Sequence, residues 1–294
     1  MLAWQTFGIA AVAVGLLAAG LLAAGARAGS RPRVGTARVR TAGVYLRETA
    51  VILGLYAAWQ WLLDRLVVRI SGAFAHARWL WRVERALHLP SEVSFQRAAL
   101  EHPLLVQAAN RYYSIVHFPA LIAFLVWVFV RHRDRYRSAR LTLILVTGAC
   151  ALLQAVPLAP PRMLPSLGFV DTALRFGQSD YGPGGTRDPG QLIAMPSVHV
   201  GWSLLIAVGV IMISRSRWRW LALLDPVATM AVVVVTGNHF WADGIVAGAF
   251  LALALALQHL GRVVRSTRRA AQERPSAPPG DAAGVPALEP VGSP

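Results

Sequence analysis

Two histidines and one aspartate carry the clearest chemistry in this chain. His239 and Asp243 stand four residues apart in Gly237-Asn238-His239-Phe240-Trp241-Ala242-Asp243, a spacing that puts both on one face of a helix. A carboxylate bound to one imidazole nitrogen fixes the tautomer and leaves the other nitrogen as nucleophile or base. His199 follows Pro196-Ser197-Val198 at the head of an apolar run. Pro and Ser before such a run mark a helix start, with Ser197 as N-cap and first-turn N–H groups open to an anion. Arg162, in Pro160-Pro161-Arg162-Met163-Leu164-Pro165, stands on proline-stiffened backbone, and guanidinium is the preferred fork for phosphate oxygens. Each piece also has a plainer reading: a hydrogen-bonded turn, a capping serine with an interfacial histidine, a snorkelling arginine. An ionisable pair at a membrane boundary is nonetheless a functional-site hypothesis by default.

The elements that must position these residues are membrane helices. The chain has 294 residues, 55% hydrophobic and 15% charged, with mean hydropathy +0.49. Soluble chains run at about 45–50% apolar and about 25% charged. Seven apolar runs are read as spans: Leu2 to Gly25, Val44 to Leu63, Ser114 to Val130, Leu141 to Leu158, Val200 to Ser214, Leu221 to Gly237 and Ile245 to Leu257. Backbone in lipid must satisfy its own hydrogen bonds, so these runs are helices. The expected fold class is all-α, a polytopic membrane helix bundle of about seven transmembrane helices. Ala73 to Leu87, with Trp79 and Trp81 among arginines, is an external amphipathic helix, held at the headgroup level or packed on the bundle.

All 29 basic residues are arginine and the net charge is +15. They cluster at Arg27 to Arg40, Arg131 to Arg140, Arg215 to Arg219 and Arg262 to Arg269, between apolar runs. That is the pattern of cytoplasmic loops, not of a nucleic-acid face, so no nucleic-acid partner is expected. The positive-inside rule then requires an outside N-terminus, alternating spans and a cytoplasmic C-terminus. In that orientation the three constellations converge on the extracytoplasmic face of the plasma membrane, although they were not used to set it. Residues 64–113 also carry arginines, offset by acidic residues, and are kept outside. The expected domains are residues 1–43, a transmembrane helix and basic loop; 44–261, the membrane-embedded catalytic domain; and 262–294, a disordered tail. Ala26-Arg27-Ala28 resembles a signal-peptide cleavage site, but without a basic n-region and with so long an apolar part the first run is read as a retained helix. The single Cys150 excludes an intrachain disulfide and a cysteine-built zinc cluster.

Taken in order, Pro196-Ser197-Val198-His199 and His239 to Asp243 resemble the second and third motifs of the phosphatidic acid phosphatase type 2 superfamily, over roughly Leu141 to Leu257. The family pattern is Lys-(six residues)-Arg-Pro, then Pro-Ser-Gly-His, then Ser-Arg-(five residues)-His-(three residues)-Asp. Here the Lys position holds Ala155, Met163 follows Arg162, Val198 replaces the Gly, and the Ser-Arg positions hold Val232 and Val233. This reduced pattern, with Pro-Pro-Arg and Gly-Asn-His, looks more like the inositolphosphorylceramide-synthase-like branch, whose members transfer phosphoinositol to a lipid alcohol. The resemblance implies a six-helix phosphatase-like core and a phosphohistidine mechanism. In it His239, oriented by Asp243, is the nucleophile, His199 the acid and base, and Arg162 and Ser197 bind phosphate. It implies no metal and no other cofactor. The implied partners are a lipid phosphate or phospholipid substrate and the bilayer; oligomeric state does not follow. His117, Tyr113, Asn110, Asp171 and Asn238 are candidate head-group contacts. Two other classes compete: a zinc-dependent hydrolase using His199, His239 and Asp243 as ligands, and a transporter whose ionisable residues line a pathway.

Overall fold

The structure is a computed structural model that describes residues 4–27, 34–66, 71–179 and 191–272. Its contacts divide into one unit over Met1–Leu255 and another over Ala256–Pro294. Among the described residues of the first unit every regular element is a helix. Its elements are α1 (Trp4–Arg27), α2 (Val34–Leu66), α3 (Ala73–Ala86), α4 (Glu92–Leu100), α5 (Pro103–Ile115), α6 (His117–Arg131), α7 (Arg133–Leu153), the short α8 (Thr172–Arg175), α9 (Val198–Ile213), a 3₁₀ segment Arg217–Leu223, α10 (Leu224–Val235) and the start of α11 (Trp241–Gln272). Among the described residues there is no strand, only an isolated parallel bridge between Leu158 and Ile193. The all-α polytopic class is thus observed.

Four described helical segments are long and apolar enough to cross a membrane, five if α5 and α6 form one broken span. α9 is apolar but has 16 residues, about 24 Å of helix, against roughly 30 Å of hydrocarbon. α2 has the length but contains Arg47 and Glu48 and is not among the apolar candidates. α1 and α2 pack as a hairpin of small residues: an added Cβ at Gly8, Gly15 or Gly54 would come within 4.0, 3.7 or 3.8 Å of Ala57, Ala50 or Ala11. Close approach through small residues is the usual device of membrane helix pairs.

Several boundaries differ from the sequence expectation, each for a local reason. The run Ser114 to Val130 is not one helix, because α5 ends at Ile115 and α6 starts at His117 with a 48° bend. Pro119 explains the break, since its ring clashes with the carbonyl four residues back, at Ile115. The basic stretch Arg131 to Arg140 is not a loop either; only His132 lies outside helix. Arginine is a good helix former, and Asp134 suits the first turn of α7. Arg140 reaches Glu48 of α2 in an ion pair. Arg38 and Arg40 lie in α2, and Arg217 and Arg219 in the 3₁₀ segment. The expected helix Ala73 to Leu87 is α3.

In the second unit α11 continues through Gln272, so residues 262–272 of the expected tail are helical. They are rich in Arg and Ala, both strong helix formers, and meet no proline before Pro275. The rest of the expected tail, residues 273–294, lies outside the described residues, as do Arg31 and Arg33 of the first basic cluster.

Of the three buried apolar clusters among the described residues of the first unit, two are large. One joins α6, α7, α9 and α11 through Phe124, Val128, Val146, Cys150, Trp202 and Leu251. The other joins α3 and α4 to the segment after α7 and to the α10–α11 turn through Ala77, Leu80, Val93, Leu164, Phe169 and Phe240. The starts of α6, α9 and α11 and the ends of α7 and α10 meet at one end of the bundle. Arg131 to Arg140 and Arg215 to Arg219 lie toward the other ends of those helices.

Candidate active site

The site begins at the turn between α10 and α11. α10 stops in a Schellman motif: Gly237 N–H donates to Val234 O at 3.0 Å and Asn238 N–H to Val233 O at 2.9 Å. Gly237 takes φ +68°, and a Cβ there would meet Gln96 Nε2 at 2.8 Å and the Arg162 backbone nitrogen at 3.3 Å. Gly237→Ala is therefore expected to cost about 2–3 kcal/mol, from left-handed strain and overpacking, read as a lower unfolding temperature in detergent.

Beyond the turn, Asp243 occupies the third position of α11 and its Oδ2 accepts the Phe240 N–H at 2.9 Å, one half of a capping box. The same oxygen lies 3.2 Å from His239 Nδ1. A carboxylate oxygen facing that nitrogen makes Nδ1–H the donor, which leaves the lone pair on Nε2. His239 Nε2 is buried and has no hydrogen-bond partner. Asp243 is fully buried and His239 is 6% exposed. Capping and tautomer control thus use one side chain.

α9 starts beside this turn. Ser197 caps it, accepting the Val200 N–H on Oγ at 3.3 Å, and its own N–H donates to Asp243 O at 3.2 Å. The peptide bond before Pro196 is cis. The arrangement sets His199 in the first turn, its ring centroid 6.2 Å from that of His239. The Tyr113 ring from α5 lies tilted against His199 at 4.5 Å between centroids and 6.3 Å from His239. His117, at the α5–α6 break, is 4.7 Å from His199; its Nδ1 meets Tyr113 O at 3.2 Å and its Nε2 has no partner.

Arg162 lies in a 3₁₀ turn, Pro161–Met163, docked on the Gly237 turn by its N–H to Gly237 O at 2.8 Å. Its guanidinium donates to Asn238 Oδ1 at 2.5 Å and Gln191 Oε1 at 3.2 Å, and its Nε is 3.6 Å from Asp171 Oδ2. A fork held on three sides keeps one orientation, as anion recognition requires.

His117, His199, His239, Tyr113, Asp243 and Ser197 thus come together, and Arg162 is anchored to the same turn through Asn238. The other candidate head-group contacts hold the scaffold. Asn238 spends Oδ1 on Arg162 and Nδ2 on Thr236 Oγ1 at 2.8 Å. Asp171 caps α8 through the Leu174 N–H at 2.9 Å while facing Arg162. Asn110 is tied to Gln178 at 3.0 Å and to Thr172 at 2.9 Å. Val233, at a position where the family motif has Arg, is fully buried beside Val200. Among the described residues no three His, Cys, Asp or Glu side chains group as metal ligands.

Sequence reasoning missed Gln96, Gln191 and Glu84. Gln96 on α4 ties the site's two turns together, donating to Val170 O at 3.0 Å and Val235 O at 3.2 Å and accepting the Val170 N–H at 2.8 Å. Glu84 did carry a signal: it falls on the same α3 face as Ala73, Ala77 and Leu80, an acid in register with apolar residues.

The sequence profile described as the PAP2 superfamily matches residues 78–257. No curated protein and no solved structure matches the chain.

Proposed function

The chain belongs to the PAP2 superfamily, a family of phosphatase and phosphotransferase-type membrane enzymes, and on that premise we propose that it breaks a phosphoester bond of a lipid phosphate or phospholipid through a phosphohistidine. The observation that carries this reading is the 6.2 Å between the His199 and His239 rings, with the second ring tied to Asp243. Two imidazoles at that separation can serve the attacking and leaving sides of one phosphorus atom. The His239 Nε2 lone pair attacks phosphorus while the bond to the leaving oxygen breaks, and protonated His199 gives that oxygen its proton. Water or an alcohol then attacks the phosphohistidine, His199 takes the hydroxyl proton, and the phosphorus–nitrogen bond breaks. Arg162, Ser197 and the first N–H groups of α9 carry the charge on the equatorial oxygens.

The finer reading is transfer of a phosphoinositol head group to a lipid alcohol, favoured by the Pro-Pro-Arg and Gly-Asn-His segments that resemble the inositolphosphorylceramide-synthase-like branch. Residues 44–261 form the catalytic domain in this reading. The site faces the extracytoplasmic side of the plasma membrane, because the basic clusters lie toward the far ends of the helices that carry it. The test is to give purified enzyme labelled phosphatidylinositol, with a lipid alcohol, and labelled phosphatidic acid in separate assays. A new phosphoinositol lipid is expected for transfer and free phosphate for hydrolysis; neither product, with no label on His239, would refute the reading.

A further inference from the structure

We propose that Glu84 is a positioning residue for the His239–Asp243 pair, clamping the first turn of α11 from α3 through a proton it shares with Glu92. The inference rests on the proposed role of that pair. Four carboxyl oxygens account for it. Glu84 Oε1 accepts the Ala242 N–H at 2.8 Å. Glu92 Oε2 accepts Arg85 Nη2 at 3.0 Å. Glu84 Oε2 and Glu92 Oε1 are both buried and neither has a donor. Glu92 is also the side chain that, after burial itself, does most to raise the Glu84 carboxyl, and one proton between these two oxygens satisfies both.

Burial makes that proton necessary. Glu84 is 1% exposed and Glu92 is fully buried, and one guanidinium serves the two carboxyls, so both cannot stay ionised together. The charged groups facing Glu84 are Glu92 from α4 and Asp243 from α11; Arg85, on α3 itself, is turned to Glu92. Burial and the bond to Glu92 push the Glu84 carboxyl up to about 9, so the proton resides on Glu84 at neutral pH.

The clamp closes on the turn that holds the catalytic groups. Ala242 immediately precedes Asp243, and its N–H is one of the first-turn donors that no helical carbonyl can satisfy. Trp241 is fixed by the same outer layer: its Nε1 donates to Pro90 O at 2.9 Å, an oxygen that also accepts Arg85 Nη2 at 2.8 Å. With the clamp made, Asp243 keeps its capping oxygen on Phe240 and His239. Ionised Glu84 would stand as a second anion beside Asp243 and lose its bond to Glu92.

The test uses the full chain in detergent with Glu84→Gln and Glu84→Leu. Glutamine keeps the acceptor for Ala242 and a donor for Glu92 at every pH; leucine keeps only the volume. Backbone hydrogen exchange at Ala242 is the deciding readout, since it does not depend on knowing the substrate. At pH 7, Glu84→Leu is expected to lose protection there at least about 10-fold, and Glu84→Gln to match the parent. The parent is expected to lose protection as pH rises through about 9, and Glu84→Gln to keep it. Phosphate release from phosphatidic acid micelles should show kcat reduced in Glu84→Leu, with KM unchanged, and restored in Glu84→Gln. Should Glu84→Leu not fold, the glutamine variant and the parent's alkaline loss decide alone. Full protection in Glu84→Leu, loss in Glu84→Gln at pH 7, or an alkaline loss that Glu84→Gln shares would overturn the clamp. If His239→Ala stays active while the exchange results hold, the catalytic assignment fails and the clamp stands.

Discussion

Replacing His239 with alanine is expected to cut turnover at least about 10⁴-fold, because no other group takes the place of the proposed covalent nucleophile. The residual rate would come from water attacking a substrate still held by the anion site. The variant should remain folded. The ring's one side-chain hydrogen bond is to Asp243, and that oxygen keeps its Phe240 N–H at 2.9 Å. A loss of about 1–3 kcal/mol is the expected scale for such a buried truncation. Labelling with a radioactive lipid phosphate, followed by a quench in alkaline detergent, separates the cases. The parent should carry acid-labile, alkali-stable phosphate, and the variant none. Wild-type turnover in His239→Ala would remove the nucleophile from the scheme.

The second large effect concerns Arg162. Arg162→Ala is expected to lower kcat about 10²–10³-fold, the scale for deleting one preorganised donor of a charge-stabilising site. Lysine should recover little of this. Its ammonium is a point charge and cannot hold the fork that Asn238, Gln191 and Asp171 set from three sides. The dependence on Arg162 should be heavy because the motif's Ser-Arg positions hold Val232 and Val233. Vanadate, which takes the five-coordinate geometry of the reacting phosphorus, should bind Arg162→Ala much more weakly. A variant with unchanged kcat and unchanged vanadate affinity would assign the anion site elsewhere.

Hydropathy and charge made the helical class legible, and the spacing of His239 and Asp243 made their bond legible, because both are one-dimensional signals. The amphipathic stretch at α3 was legible for the same reason. Arginine clusters were misread as loops because charge marks the side of a membrane and not the end of a helix; Arg133 to Arg140 lie in α7. The break at Val116 was missed although Pro119 announced it. Asn110, Asp171 and Asn238 looked free to meet a head group, since a sequence does not reveal which polar groups are already satisfied. Their partners, Gln178, Arg162 and Thr236, lie 68, 9 and 2 residues away in sequence. The Glu84–Glu92 pair was hidden for a related reason: counted as surface charge, the two acids only offset nearby arginines.

The break between α5 and α6 has one more chemical consequence. Interrupting the helix releases carbonyls, and His117 answers one of them by giving its Nδ1 hydrogen to Tyr113 O. That imidazole then offers a bare lone pair on Nε2, beside the ring of His199. An ester or ether oxygen has nothing to give such a nitrogen, whereas a hydroxyl or an amine does. The kink favours, on that wall, a visitor that arrives with a hydrogen of its own.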